Sequence, residues 1–233
     1  MHPHATELLF AIGASNMLVG RTDDCDYPQG ALRIPSIGKT GEINKDMVAV
    51  LEPDVVFIGP GQELDGYKTV RVAPKTLSDL YATISQVGET LSKQIEADML
   101  VHDIKATLDK IKDKSSRFVK TKVLLLNCFE SFERPPMYFL ELASIAGGEP
   151  YIGDDAVEQI QHFDPRMVVV VKQSGDDDEQ CLERLSRKDG WSQVKAVKQE
   201  LLFVIDEGLF RPSPRLIEGA KRLAMILHGV AVD

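Results

Sequence analysis

Residues 22–31 read Thr-Asp-Asp-Cys-Asp-Tyr-Pro-Gln-Gly-Ala, which gathers three acids, a thiol and an aromatic hydroxyl into one short stretch. Those residue types suit three kinds of chemistry: a cysteine nucleophile, a cation loop, or a scaffold that presents Tyr27. A nucleophilic cysteine acts as its thiolate and needs a base or a positive neighbour. Asp23, Asp24 and Asp26 are negative, push a thiol pKa upward, and so oppose reactivity at Cys25. A calcium loop alternates its ligands around a glycine, and these acids do neither. The scaffold reading is preferred. Pro28 confines Tyr27 to extended backbone, which helps aim a side chain carrying both an apolar ring and a hydroxyl. The alternative is that Tyr27 packs on its own lobe as a turn anchor.

Other chemistry-bearing residues are scattered. His4 sits where the first helix opens and offers a nitrogen that suits cobalt or haem iron, or simply water. Gly59-Pro60-Gly61 follows a strand, but neither Gly-x-Gly-x-x-Gly nor Lys-Ser/Thr follows it, so it is a weak nucleotide signal. Arg211-Pro212-Ser213-Pro214-Arg215 suits anionic groups, or serves as a helix entry. Cys25, Cys128 and Cys181 allow one pair at most, with no Cys-x-x-Cys spacing, so neither a disulfide framework nor a structural zinc site is expected. No residue set suggests catalysis, a metal site or a bound cofactor.

The elements that must position these residues fall into two α/β sets around one helical stretch. In the first set, 6–14 reads as a short helix and 17–21 as a short strand. Asn44 suits the N-cap of a helix over 45–51, which Glu52-Pro53 ends. Residues 55–59 and 69–73 are buried strands, being short, β-branched and bounded by Gly and Pro. From Thr76, with Asp79 three residues on as a near capping box, apolar residues recur in steps of three and four from Leu77 to Ile111. Unbroken, that helix would run roughly 54 Å and bridge two lobes. The second set has strands at 122–128, 167–171 and 201–205, and a helix near 137–146 ended by Gly147. A last helix runs to about 227, with Ser213 as N-cap and Pro214 at its first position. The expected organisation is an N-terminal lobe over 1–75, a bridging helix over 76–114 and a C-terminal lobe over 115–233.

Bulk composition narrows the partners. The 233 residues carry a net charge of −9 without any basic run, which argues against nucleic acid and anionic membrane surfaces. No apolar run approaches the roughly 20 residues of a membrane span. Residues 1–14 have neither the basic start nor the apolar run of a secretory leader. The chain is therefore expected to be cytoplasmic, or exported with a leader that lies outside it.

Two stretches share a plan. Residues 46–59 and 158–171 superimpose 112 positions apart: an acid, an apolar helix, an acid followed by proline, then a buried strand. Pro53 falls on Pro165, Glu52 on Asp164 and Asp46 on Glu158. Acids at helix starts are favoured by the dipole. A matched pair on two lobes also suits docking on a two-fold symmetric basic partner.

The order of these pieces resembles the substrate-binding proteins of ABC importers, whose two lobes are joined by one rigid helix. Among them the chain is most similar to the vitamin B12 (cobalamin) and corrinoid binders, with ferric-siderophore and haem binders as the nearest alternative. The resemblance rests on Pro3-His4-Ala5-Thr6-Glu7, on Cys25-Asp26-Tyr27-Pro28, on the helix-Pro-Asp-strand join ending at 59, and on residues 190–206 and 211–224. It implies two Rossmann-like lobes, a ligand cleft between them, non-covalent capture without catalysis, and delivery to a membrane permease by a monomer outside the cytoplasm. A cytoplasmic corrinoid-handling protein on the same scaffold is the other alternative. The resemblance places Tyr27, with Pro28, in the cleft, where Phe129, Phe132, Tyr138 and Phe210 of the second lobe, with Arg211, are expected to join it. It places the transporter-docking acids on Asp46 and Glu158. The chain departs from the family in having only Met1-His2 ahead of the first helix, where a strand is usual, and Lys39-Thr40 where corrinoid binders often have tryptophan.

Overall fold

The computed structural model describes residues 2–128, 132, 133, 135–154, 156–173 and 175–231. The chain divides into two compact units, Met1–Ile104 with Pro212–Pro214, and Lys105–Arg211 with Arg215–Asp233.

The first unit opens with helix α1 (Pro3–Ala11), whose proline occupies the first turn, where its missing N–H is no loss. A two-residue hairpin follows, β1 (Gly38–Lys39) with β2 (Glu42–Ile43). Helix α2 (Lys45–Leu51) is capped as its sequence predicts: Asn44 accepts hydrogen bonds from the Asp46 and Met47 amides. Strand β3 (Val56–Ile58) then pairs in parallel with β4 (Thr69–Arg71). Ile37, Val48, Val56, Ile58 and Leu64 form the apolar core under them. Each such side chain contributes about 1.5–3 kcal/mol when fully buried. The strand expected over 17–21 is not formed. Residues 15–17 make a 3₁₀ turn, and Arg21 alone bridges to Ser36 in parallel.

The stretch expected as one helix over 77–112 is two helices, α3 (Leu77–Thr90) and α4 (Gln94–Ser115). Thr76 and Asp79 form the predicted capping box. The break has a local cause. Ser92 adopts φ of 55°, and the Lys93 amide turns back to the Gly88 carbonyl at 2.7 Å. Gly88 permits this because a Cβ there would lie 2.4 Å from the Ala97 Cβ. The apolar period continues through the break because both helices bury a stripe, with Leu80, Ile84 and Val87 on α3 and Ala97, Ile104, Leu108 and Ile111 on α4. The division between the two units falls inside α4.

The second unit is built on a largely parallel sheet. Its elements are β5 (Thr121–Cys128), β6 (Phe132–Glu133), α5 (Met137–Ile145), β7 (Gly148–Pro150), α6 (Val157–Phe163), β8 (Met167–Lys172), α7 (Asp178–Ser186), α8 (Lys195–Lys198), β9 (Leu202–Asp206) and α9 (Leu216–His228). The sheet runs β6-β5-β8-β9, and β7 pairs with the edge of β5 away from β8. Val168, Val169, Val170 and Val171 are fully buried, as a strand covered on both faces requires. Cys128 and Cys181 form a disulfide that ties the end of β5 to α7, with Cα atoms 6.1 Å apart. The expected cap of the last helix is corrected: α9 starts at Leu216 after Arg215, without a side-chain cap. Ser213 instead donates to the Glu7 carboxylate at 2.6 Å within the first unit.

Candidate functional site

The loop that carries Tyr27 is held by its own polar residues. Thr22 is buried; its hydroxyl accepts from the Thr40 hydroxyl at 3.2 Å and shares a 3.3 Å hydrogen bond with the Cys25 thiol. The Asp23 amide donates to the Gly38 carbonyl at 2.8 Å, and its carboxylate accepts from the Ser36 hydroxyl. The Thr40 amide donates to the Asp24 carboxylate at 2.8 Å. Partial burial pushes the Asp24 pKa up, but hydrogen bonds from Thr40 and from its own backbone, with Lys39 nearby, outweigh that and hold it below the usual carboxylate range. Asp23 and Asp24 thus fasten the loop to residues 36–40. Cys25 is the free cysteine and is fully buried, which removes it from reach of any substrate.

What this scaffold leaves outward is apolar. Tyr27 is 46 % exposed, and the Tyr27–Pro28 peptide is cis. The Ala31 amide donates to the Pro28 carbonyl at 2.7 Å, opening a 3₁₀ turn over Gln29–Arg33. On that turn Ala31 is buried and Leu32 is 53 % exposed. A Cβ at Gly30 would lie 3.1 Å from the Phe10 ring of α1, so the turn rests closely on that helix. Leu32 was missed by the sequence reading; an apolar residue inside an otherwise polar loop was the signal available.

In the second unit the described ones among the expected ligand residues follow β5 and β9 in the chain. Open parallel sheets characteristically bind ligands at the carboxyl ends of their strands. Phe129 lies outside the described residues. Phe132 lies in β6, paired with Cys128 of β5. Tyr138 is buried near the start of α5, its ring edge-on to Phe139 at 4.8 Å. Burial, with Glu207 nearby, pushes its hydroxyl well above the ordinary tyrosine range, so it stays neutral. Phe210 is fully buried and stacks on Phe139 at 4.5 Å. Its ring is packed in the core of the second unit. Arg211 is half-buried at the end of a 3₁₀ turn, Glu207–Phe210. The Asp206 carboxylate caps that turn by accepting from the Gly208 amide at 2.7 Å.

Asp46 and Glu158 occupy matched positions. Helices α2 and α6 coincide at the 112-residue offset from end to end. Each buries one residue, Val48 and Ile160, and each ends on a left-handed acid, Glu52 at φ 44° and Asp164 at φ 51°. Each is followed by proline and a buried strand, whose Val56 and Val168 amides donate to the carbonyls of Lys68 and Leu201, the residues just ahead of β4 and β9. Asp46 and Glu158 both lie exposed in the first turn of their helices.

The chain is similar to several known proteins. The chain is 26% identical to the ABC transporter substrate-binding lipoprotein YvrC of Bacillus subtilis, over 97% of this chain and 78% of that protein. It is 21% identical to the vitamin B12-binding protein of Vibrio cholerae, over 97% of this chain and 86% of that protein. A periplasmic heme binding protein from Pseudomonas aeruginosa superposes with a TM-score of 0.77 at 20% identity, covering 98% of this chain and 91% of that one. The sequence model described as periplasmic binding protein matches residues 1–209, and the chain belongs to that family.

Proposed function

We propose that this protein captures cobalamin or a related corrinoid and delivers it to an ABC importer, by binding alone and without catalysis. The carrying observation is Tyr27. It is a half-exposed aromatic on a loop that Thr22, Asp23, Asp24 and Cys25 fasten by hydrogen bonds. A corrinoid is a flat ring fringed by amides, and an immobilised ring with a hydroxyl offers it both apolar contact and a hydrogen bond. Leu32 adds apolar surface on the same loop. Asp46 and Glu158 are the acids that meet basic residues of the permease. The Cys128–Cys181 disulfide supports residence in an oxidising, extracytoplasmic compartment.

A second reading is haem, favoured by the structural likeness to the Pseudomonas heme binding protein. A tyrosine hydroxyl is a known kind of axial iron ligand, and Tyr27 is exposed enough to serve as one. Calorimetric and absorption titrations with cyanocobalamin, haemin and a ferric hydroxamate siderophore in parallel separate the readings. Saturable heat with cyanocobalamin alone supports the first, and a shifted Soret band with haemin supports the second.

A further inference from the structure

Helices α4, α5 and α9 of the second unit end together, beside the start of β5. His228, the last residue of α9, donates from Nε2 to the Ala146 carbonyl just after α5 at 2.8 Å. Its ring stacks on Phe118, just beyond α4, at 4.5 Å. The Thr121 amide, which opens β5, donates to the Gly147 carbonyl. This is the amino end of the strand, away from the carboxyl end where open parallel sheets bind ligands.

This end is basic in a protein that is not. Over residues 110–120, Lys110, Lys112, Lys114, Arg117 and Lys120 stand against one acid, Asp113, whereas the whole chain carries −9. All five are exposed, and none belongs to a salt bridge among the described residues. No two of them adjoin, so the sequence shows no basic run and its bulk charge argues against an anionic surface. The local charge reverses that expectation. Carbonyls at a helix end favour cations, which accounts for Lys112 and Lys114 in the last turn of α4. It does not account for Lys120, which leads into a strand, nor for the apolar residues beside it. Val119 is 89% exposed, more than any other large apolar side chain among the described residues, and Phe118 is 39% exposed. Val230, two residues past His228, is exposed as well.

An apolar tip flanked by unpaired cations matches a bilayer interface better than a soluble polyanion. Headgroup phosphates take the cations, the acyl boundary takes the apolar tip, and lysine stems lie along the surface between them. Single-stranded nucleic acid would use the charges but needs an open aromatic face for stacking. His228 covers one face of Phe118, and Val119 offers no ring.

We propose that this end of the second unit docks on a bilayer surface containing anionic phospholipid, with Val119 at the acyl boundary and Lys114, Arg117 and Lys120 on the headgroups. This depends on neither the ligand nor the importer. The test is co-sedimentation of the full chain with phosphatidylcholine vesicles containing about one third phosphatidylglycerol. The protein should bind these vesicles and not phosphatidylcholine alone, and binding should fall at least about tenfold between about 0.05 and 0.5 M salt. Lys114→Glu, Arg117→Glu and Lys120→Glu together should weaken binding at least about tenfold at unchanged melting temperature. Val119→Asp should weaken it severalfold. A charge-matched control, Lys45→Glu with Lys75→Glu and Lys198→Glu, should bind within about threefold of wild type. Equal loss in that control would reduce the effect to net charge and overturn the proposal. Absence of binding to the anionic vesicles overturns it too, as does wild-type binding by the triple variant or by Val119→Asp. Binding to an oligonucleotide without binding to vesicles would assign the face to a soluble polyanion and overturn it equally.

Discussion

Cys25 shows how a neighbourhood decides what a residue does. Its three acidic neighbours argued against a thiolate, and the structure adds burial and a hydrogen bond to Thr22. Cys25 should therefore resist iodoacetamide in the native protein and react at the rate of a free thiol in guanidinium chloride, measured by mass spectrometry. Fast native labelling would contradict the scaffold reading. Asp79 carries a second expectation. Hydrogen bonds from the Lys75 amide and from Thr76 lower its pKa. Because the folded value is depressed, its capping contribution is present above the ordinary value of 3.8 and fades as pH falls through the lowered one. The melting-temperature difference between wild type and Asp79→Ala should be constant near neutrality and shrink at acid pH. The acids that fasten the Tyr27 loop were visible as residue types, though their partners at residues 36–40 were not. The burial of Phe210 was not, because a phenylalanine past a strand end serves a ligand face and a core equally well.

The elements were legible where local rules and packing agree. The Asn44 cap, the Thr76–Asp79 box and the strand at 167–171 follow directly from sequence. The helix break at 91–93 did not, since an apolar stripe of three and four steps continues across it. The signal lay in Gly88, whose missing Cβ lets α4 approach α3. Gly88→Ala should destabilise the protein by about 1–3 kcal/mol through overpacking, and Ala97→Gly should recover part of that loss in the double variant, measured by urea denaturation. Additive effects would show that the contact is not responsible. The last helix teaches a related lesson. Ser213-Pro214 has the types of a cap, yet its hydroxyl is drawn to a buried carboxylate at Glu7, 206 residues away in sequence. Local propensity cannot anticipate such a partner.

At the scale of the whole molecule, the sequence repeat at offset 112 became a structural one, with equal helices, equal left-handed ends and equal strand bonds. The repeat makes Asp46 and Glu158 equivalent surfaces on two similar units. Reversing both to Lys should abolish uptake by cells carrying the cognate importer while leaving ligand affinity and melting temperature unchanged. Unaltered uptake would remove them from the docking surface. The central claim is that a scaffolded tyrosine helps hold a corrinoid. Isothermal titration of cyanocobalamin into wild type and Tyr27→Ala tests it most directly. The account predicts saturable binding by the wild type and at least about tenfold weaker binding, or 1.4 kcal/mol, by the variant at unchanged melting temperature. Wild-type affinity weaker than about 1 mM would contradict it, as would equal binding by both.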